Sequence, residues 1–281
     1  MITTSLNKLL NETYDIIEIL GTGGGGTVYK AWHKRLGKYV VIKELPHSRF
    51  CDEESRRNEV EALKNVKSAH LPQVYDFFSE PCCSYTIMEF IDGESFMTLL
   101  NKNQKFTEHR VMDWYGQLAS VLEDLHALDI CHGDIKPTNI MLMPNGRACL
   151  IDFNVAIVEG NNTRIVSRSR GYASPEQYNL FTFFKNKDKS KYSNVDWKLS
   201  DIHNLGATMY HILMGRRMRY DTKGRVMQAN FNTKGTKGMG PILSPCQFII
   251  QRSTHPNPGS RFASATALRR TIQSVNSKKA F

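Results

Sequence analysis

Four polar side chains that could act together in chemistry lie in one part of the chain. Asp134, Lys136 and Asn139 fall within six residues, and Asp152 follows after two apolar runs. The Pro-Asn-Gly segment at 144–146 between those runs predicts a hairpin, because Asn and Gly tolerate the positive φ of a tight turn. Such a hairpin would bring Asn139 and Asp152 to the same end. An amide oxygen and a carboxylate facing one point suit a hard cation such as Mg²⁺, held partly by substrate phosphates.

A glycine-rich segment near the N-terminus could bind phosphate. Gly21, Gly23 and Gly26 have the G-x-G-x-x-G spacing, and Val28 follows. Glycines let the backbone approach a polyphosphate closely and direct N–H groups at its oxygens. The residues before and after this segment both read as strands, whereas a dinucleotide-binding fold needs a helix after the glycines. The pattern therefore argues against a dinucleotide site.

A lysine closes the next predicted strand. Lys43 ends the apolar run KYVVIK, a place where lysine is usually a snorkelling surface residue. The glycine segment upstream favours a phosphate-binding role instead. Residues 52–66 read as a helix on which Glu59 lies next to the apolar stripe and could reach Lys43. Glu61 is the competing partner, but its position round the helix predicts that it faces solvent.

Composition limits the class of protein. The chain has 281 residues, which suits one large domain or two lobes. No apolar run approaches the roughly 20 residues that span a bilayer, and the first residues lack the basic and apolar regions of a secretion signal. The six cysteines show no metal-binding spacing. Reduced thiols in a cytosolic protein are therefore expected.

The net charge of +10 has two interpretations. It could attract acidic substrates, nucleic acid or an anionic membrane surface, or it could be a solvated basic surface without a dedicated partner. Much of the excess lies in residues 185–198 and 216–237 rather than on one helix face, and no nucleic-acid-binding motif accompanies it. The second interpretation is therefore favoured.

The remaining patterns predict the other elements. Strands at 73–80 and 84–91 precede an Asp-Gly turn signal, and the segments beyond are mostly helical, so a lobe boundary is expected near residues 91–94. Periodicity predicts helices at 109–128, 200–215, 241–250 and 263–275, and a mobile loop at 158–170.

Taken together, these motifs make the chain resemble the eukaryotic-like (Hanks-type) serine/threonine protein kinases, most closely those of bacteria. The resemblance runs from about Tyr14 to about Val275 and depends on the order and spacing of many motifs. They are the glycine loop, VVIK ending at Lys43, the helix Glu59, HGDIKPTN at 132–139, DFN at 152–154, SPE at 174–176 and DIHNLG at 201–206.

The resemblance implies an α+β, bilobal protein kinase fold. Residues 1–91 would form a small N-lobe, a mainly antiparallel β-sheet with one main helix that binds ATP. Residues 92–281 would form a larger, mainly α-helical C-lobe with the catalytic loop, the activation segment and a protein-substrate platform.

The resemblance also assigns catalytic roles. Asp134 would orient the substrate hydroxyl and accept its proton, and Lys136 would sit against the γ-phosphate of ATP. Asn139 and Asp152 would hold Mg²⁺, with Mn²⁺ as the alternative ion. Lys43 would hold the α- and β-phosphates.

The remaining implied roles concern binding and bracing. The glycine loop of Gly21, Gly23 and Gly26 would cover the phosphates. Glu59 would pair with Lys43. Val28 and Met141 would lie on the two faces of the adenine, with Met88 as the gatekeeper residue. The backbones of Glu89 and Ile91 would form hydrogen bonds with the base. Arg261 would pair with Glu176 to brace the activation segment.

Four positions depart from the family pattern. Gly133 replaces the catalytic-loop arginine that normally binds an activation-loop phosphate, so regulation by that phosphate is not expected. Asn154 replaces the last glycine of DFG, which Asn can mimic because it adopts left-handed φ most readily. Ser174 replaces alanine in the APE motif, and Ser169 takes the place of a threonine that contacts the catalytic aspartate and lysine.

Two other functions remain open. A small-molecule phosphotransferase of the aminoglycoside or choline kinase kind also uses an HGD motif. An ATP-binding pseudokinase scaffold would explain Gly133 and Asn154. The expected partners are ATP, protein substrates and a candidate regulatory protein, in a cytoplasmic setting without a membrane span.

Overall fold

The structure is a computed structural model that describes residues 12–23, 26–47, 60, 63–153, 157–158, 169–185, 195–219, 227, 229, 231 and 244–278. Its described residues up to Asp92 form one compact unit, and those from Gly93 onward form a second.

The first unit is a five-stranded antiparallel sheet. Its strands are β1 (Tyr14–Gly23), β2 (Gly26–His33), β3 (Lys38–Pro46), β4 (Val74–Ser79) and β5 (Cys83–Glu89), in the spatial order β1-β2-β3-β5-β4. Directly opposite residues on one face, such as Ala31 with Val40 and Ile42 with Ile87, are fully buried. This side of the sheet is the hydrophobic core of the unit.

All five strands were predicted, and β1 extends further than expected. It continues through Gly23, which pairs with Gly26, so the glycine motif forms the end of a β-hairpin. Of the predicted helix at 52–66, Val60, Leu63 and Lys64 are helical, and Val60 is buried. Most of that helix, with Glu59 and Glu61, lies outside the described residues.

The second unit is mainly helical. Its helices are α1 (Phe96–Asn101), α2 (Glu108–Ala127), α3 (Pro175–Lys185), α4 (Trp197–Met214), α5 (Pro245–Ser253) and α6 (Ala265–Lys278). Its short strands are β6 (Glu94–Ser95), β7 (Ile130–Cys131), β8 (Ile140–Leu142), β9 (Ala148–Leu150) and β10 (Ile157–Val158). With the sheet of the first unit, these elements confirm the predicted α+β class.

The predicted hairpin after Asn139 is confirmed. Strand β8 pairs with β9 in antiparallel register, with Ile140 opposite Leu150, and β6 adds a third strand. The N–H of Ile151 donates to the carbonyl of Asn139 at 2.8 Å. Asn139 and Asp152 therefore lie at the same end of the hairpin.

Helix capping explains where the helices of the second unit begin. Helix α4 starts three residues earlier than the predicted Ser200, because the Asp196 side chain caps it by accepting from the N–H of Leu199. Helix α5 starts later than the predicted residue 241. Ser244 and Gln247 form a capping box there, and Pro245 occupies the first turn.

Two further differences concern segments near the catalytic region. Helix α3 was not predicted. The predicted loop at 158–170 was wrong at its first residue, because Val158 belongs to β10, which pairs with β7. Residues 159–168 lie outside the described part of the chain.

Within the described residues, no helix combines the length and the apolar character needed to cross a membrane. The described cysteines, Cys82, Cys83, Cys131, Cys149 and Cys246, are all free thiols, and only Cys82 is exposed.

Helix α4 is the buried centre of the second unit, and it carries two histidines whose basicity is strongly reduced. Burial lowers the pKa of His203 to about 3, and the charge of Arg261 acts in the same direction. Burial also lowers the pKa of His211 to about 4, with a further contribution from Arg217. Both side chains are therefore neutral in the folded protein at neutral pH.

These histidines predict a loss of stability in mild acid. Because their folded pKa values lie below the unfolded value of about 6.5, the unfolded chain binds more protons below that pH. The free energy of unfolding should fall from about pH 6.5 downwards, by up to about 1.4 kcal/mol per pH unit for each histidine. Urea unfolding of His203→Gln between pH 7 and 5 should show a shallower slope than wild type, with exposed His109→Gln as control. If the free energy of unfolding of His203→Gln depended on pH as steeply as that of wild type, the lowered pKa of His203 would be contradicted.

The glycine hairpin contains one position that the fold itself reserves for glycine. Gly26 has a φ of +109°, and a Cβ atom there would overlap the carbonyl oxygen of Glu44. Gly21 and Gly23 have no atom within 4 Å of a built Cβ and no positive φ. The fold can therefore accept a side chain at these two positions.

Gly26→Ala should lower the free energy of unfolding by about 3 kcal/mol, the combined cost of a strained φ and a backbone overlap. Gly21→Ala and Gly23→Ala are the matched controls and should stay within about 0.5 kcal/mol of wild type. Urea unfolding at pH 7 measures all three. Equal stability of the three variants would show that Gly26 is not held in this conformation.

Candidate active site

The backbone of the catalytic loop is attached to a buried carboxylate. Asp201, in the first half of α4, is fully buried. Its Oδ2 accepts from the N–H of His132 and its Oδ1 from the N–H of Gly133, both at 2.8 Å. The Nε2 of His126 lies 3.1 Å from Oδ2 and is the third polar contact of this carboxylate. Charge-assisted bonds of this kind fix the start of the loop to the core helix.

Gly133 adopts a left-handed backbone conformation, with a φ of +74°. Glycine has no Cβ and adopts this conformation without steric cost. Its presence in place of arginine is therefore well suited to the backbone.

His132 connects the catalytic loop with the end of β9. The N–H of Asp134 donates to its Nδ1 at 3.2 Å, so the ring proton resides on Nε2, which faces the carbonyl of Ile151 at 3.2 Å. The ring also packs against Phe153, with centroids 4.8 Å apart. One neutral imidazole thereby holds both the residue before Asp152 and the residue after it.

Asp134, Lys136 and Ser169 form a closed hydrogen-bonded group. The Lys136 ammonium donates to Asp134 Oδ2 at 2.6 Å and to Ser169 Oγ at 3.1 Å. The Ser169 hydroxyl donates to Asp134 Oδ1 at 2.6 Å. The side chains of Asp134 and Lys136 are 13% and 26% exposed, so solvent can reach them. A carboxylate oriented in this way can accept a proton, while the ammonium beside it can neutralise anionic charge.

Asn139 and Asp152 offer oxygen ligands. The Asn139 amide donates from Nδ2 to the carbonyl of Asp134 at 3.0 Å, which leaves Oδ1 as the ligand atom. The hydroxyl of Thr138 lies 3.3 Å from that oxygen. Asp152 has a φ of +71°, a conformation uncommon outside glycine that is often found at functional sites. An amide oxygen and a carboxylate fit a hard divalent cation. Asn154 lies outside the described residues.

The other predicted binding residue of the second unit is Met141. It lies in β8 opposite Cys149 and is half-buried. Its predicted contact with adenine stays a prediction.

In the first unit, the predicted phosphate-binding residues lie on neighbouring strands. Val28 pairs with Gly21 on one side and with Lys43 on the other. Lys43 is buried, with 6% of its surface exposed, so the expectation of a solvated surface lysine does not apply. Burial of an ammonium is costly without compensation, and Lys43 does engage in an interaction. Its predicted partner Glu59 lies outside the described residues.

Three predicted base-contacting residues lie at or after the end of β5. Met88 pairs with Val41, and Ile91 is buried. The N–H of Glu89 donates to the carbonyl of Gln73 at 2.8 Å. A backbone bond from Glu89 to a nucleotide base must therefore use its carbonyl.

The end of the activation segment is held by an ion pair. Arg261 donates to both carboxylate oxygens of Glu176, at 2.5 and 2.9 Å, as the resemblance implied. Burial alone would raise the pKa of Glu176, but the guanidinium outweighs it and the pKa lies below its usual value. The Ser200 hydroxyl donates to the same carboxylate at 2.9 Å and also contacts the hydroxyl of Ser174.

Sequence reasoning gave no role to His132 and Gln177. Gln177 follows the SPE motif and is fully buried, with bonds to both Ser174 and Gly133. His132 lies two positions before Asp134 in the HGD sequence, which was the available signal. For Gln177 the local sequence offers no signal, because its partner Gly133 is 44 positions away.

Comparison with known proteins agrees with this geometry. The family model described as "Protein kinase domain" matches residues 14–271. The chain is 28% identical over 284 residues to the serine/threonine-protein kinase PknA of Corynebacterium glutamicum, covering 96% of this chain and 58% of that protein. It is 30% identical over 287 residues to serine/threonine-protein kinase C of Synechocystis, covering 95% of this chain and 50% of that protein.

A human relative is also similar. The serine/threonine-protein kinase Nek5 is 31% identical over 209 residues, which is 72% of this chain and 28% of Nek5. The chain thus spans between about a quarter and three fifths of the length of these three relatives. The match to bacterial serine/threonine kinases over most of this chain confirms the resemblance seen in the motifs. The chain belongs to the protein kinase family, with the bilobal α+β fold of that family.

Proposed function

We propose that this chain is an active serine/threonine protein kinase, which transfers the γ-phosphoryl group of ATP to hydroxyl groups of proteins. The observation that carries the proposal is the closed group of Asp134, Lys136 and Ser169. The group combines a proton acceptor, a cation and a hydroxyl, and one direct hydrogen bond joins each pair of these side chains. In this reaction class, catalysis is mainly positioning and charge stabilisation.

Each residue of this group has one task in the proposed reaction. Asp134 would orient the substrate hydroxyl and accept its proton as the oxygen attacks the γ-phosphorus, while the bond from that phosphorus to the β-phosphate oxygen breaks and ADP leaves. Lys136 would stabilise the negative charge on the γ-phosphoryl oxygens. Ser169 would hold the Asp134 carboxylate in the orientation that faces the substrate.

Protein kinases use ATP and a divalent metal ion. For this chain we propose Mg²⁺, with Mn²⁺ as the alternative, held by Asn139 Oδ1 and the carboxylate of Asp152. When bound, such an ion neutralises charge on the phosphate oxygens. The donor set of one amide and one carboxylate matches ions that keep several ligands from water and phosphate.

We assign ATP binding to the residues predicted for it, with residues 1–91 as the N-lobe and 92–281 as the C-lobe. Gly21, Gly23 and Gly26 would direct backbone N–H groups at the phosphates. The remaining contacts would come from Lys43 with Glu59 at the phosphates, and from Val28, Met88, Glu89, Ile91 and Met141 around the base. The open space at Gly21 and Gly23 supports this, because the fold itself does not require glycine at either position.

Regulation is proposed to differ from that of kinases with a catalytic-loop arginine. Gly133 has no side chain to bind an activation-loop phosphate. The loop is instead held by the carboxylate of Asp201 and by the neutral ring of His132. Activity should therefore not depend on activation-loop phosphorylation.

Two alternatives each have an observation in their favour. The HGD sequence at 132–134 also occurs in small-molecule phosphotransferases, but Lys136 and the Arg261–Glu176 pair match the protein kinase pattern. The altered Gly133 and Asn154 suit a pseudokinase that binds ATP without transfer. Against it, Lys43, Asp134, Asn139 and Asp152 are all present, and Asp134 is engaged with Lys136 and Ser169.

The cellular location and the partners of the protein are also proposals. Free thiols at the described cysteines suit the cytoplasm. Proteins are the proposed substrates, and a regulatory protein is a candidate partner.

Purified wild-type protein should transfer labelled phosphate from ATP–Mg²⁺ to itself or to a generic protein acceptor. Lys43→Met and Asp152→Ala should each reduce transfer to the level of Asp134→Asn, by at least about 100-fold, because each removes charge needed at the phosphates. Circular dichroism should show that all variants remain folded.

The acceptor panel separates the alternatives. Transfer only to small alcohols or aminoglycosides would identify a small-molecule phosphotransferase. Binding of ATP–Mg²⁺ by wild type with no more transfer than Asp134→Asn would identify a pseudokinase. Full activity of Lys43→Met or Asp152→Ala would refute the site assignment.

A further inference from the structure

The carbonyl of Gly133 is bound by a buried glutamine that the proposed reaction does not otherwise use. Gln177, in the first turn of α3, donates from Nε2 to this carbonyl at 2.8 Å. Its Oε1 accepts from the N–H of Ser174 at 2.8 Å. The side chain is fully buried, so neither bond is replaced by solvent. One amide thus connects the SPE motif with the residue directly before Asp134.

With this bond, both peptide groups that flank the Cα of Gly133 are fixed. The peptide before it donates its N–H to Asp201, and the peptide after it accepts from Gln177 through its carbonyl. That second peptide also donates its N–H, which belongs to Asp134, to His132. The φ and ψ of Gly133 cannot change without breaking at least one of these bonds.

This arrangement matters because glycine is the residue with the greatest backbone freedom. Without external bonds, Gly133 would let Asp134 sample several positions, and small misplacements of a catalytic group are costly. The segment on the other side of Asp134 is held as well. The carbonyl of Ser169 accepts from the N–H groups of Tyr172 and Ala173, two residues close to Ser174.

We infer that Gln177 is a positioning residue, whose amide fixes the Gly133 carbonyl and thereby places Asp134 for catalysis without an activation-loop phosphate. This inference rests on the proposed kinase function. It adds a structural explanation for the proposed regulation. The buried Gln177 amide of α3 would hold the catalytic loop in place, as an arginine–phosphate pair does in kinases that have the catalytic-loop arginine.

Two substitutions test the role of the amide. Gln177→Glu keeps the shape and an acceptor for Ser174, but an ionised carboxylate cannot donate to the Gly133 carbonyl. Gln177→Met is similar in size and removes both bonds. We expect kcat to fall by about 10- to 100-fold in both variants at pH 8, while the KM for ATP changes less than about twofold. Rates are expressed per folded molecule, measured by unfolding curves.

The pH profile distinguishes positioning from a merely structural role. When protonated, the carboxyl of Gln177→Glu can donate its O–H to Gly133 and accept from Ser174, as the amide does. Its kcat relative to wild type should therefore rise as the pH falls from 8 to 6, whereas the ratio for Gln177→Met should stay low. Asp134, Glu176 and Asp201 are present in both proteins, so dividing by the wild-type rate removes the pH effects that they share.

Gln247→Glu is the control for the same chemical change elsewhere. Its side chain accepts from the N–H of Ser244 in the capping box of α5, a bond that a carboxylate can also accept. This variant should keep the wild-type rate at each pH.

The outcomes separate this inference from the kinase proposal. If wild type exceeds Asp134→Asn and both Gln177 variants retain wild-type kcat per folded molecule, the inference is overturned and the kinase function stands. Loss of stability alone, with unchanged kcat, overturns it too. If wild type does not exceed Asp134→Asn, both proposals fail.

Discussion

The hydrogen bonds from the backbone of His132 and Gly133 to the carboxylate of Asp201 are the constraint on which the proposed active site depends. Asp201 belongs to α4, whose residues from Ser200 to Ile212 are all buried. A charge in such a place is tolerated only when donors satisfy its oxygens. Two backbone N–H groups and His126 do so here. The catalytic loop thus provides the bonds that make the buried carboxylate acceptable, and the carboxylate fixes the loop.

Hydrogen bonds of two uncharged side chains, His132 and Gln177, connect the catalytic loop to two other segments. Through His132 the loop is connected to Ile151, next to Asp152. Through Gln177 it is connected to the SPE motif, whose Glu176 is held by Arg261. A polar network of this kind stabilises a single arrangement only if every member has a partner. The side chains of this network named here all have partners among the described residues, which explains how a glycine can occupy position 133 without loss of order.

The sequence predicts the local parts of this structure better than the distant ones. The hairpin of β8 and β9 follows from apolar runs and one turn, and both are encoded within a dozen residues. The start of α4 was misplaced because Asp196, rather than Ser200, provides the cap. The bond between Gln177 and Gly133 joins positions 44 apart, and the bond between Gly133 and Asp201 joins positions 68 apart. Such pairs depend on the tertiary fold, and neither hydrophobic periodicity nor a turn signal in the sequence predicts them.

The central claim is that internal hydrogen bonds, rather than phosphate, order the catalytic loop. Rapid-quench measurement of the first turnover tests this most directly, using protein freed of phosphate and verified by intact mass. With ATP–Mg²⁺ and a protein acceptor, we predict that transfer begins at its full rate and equals that of protein previously allowed to autophosphorylate. A lag that disappears as the activation loop becomes phosphorylated would contradict this account.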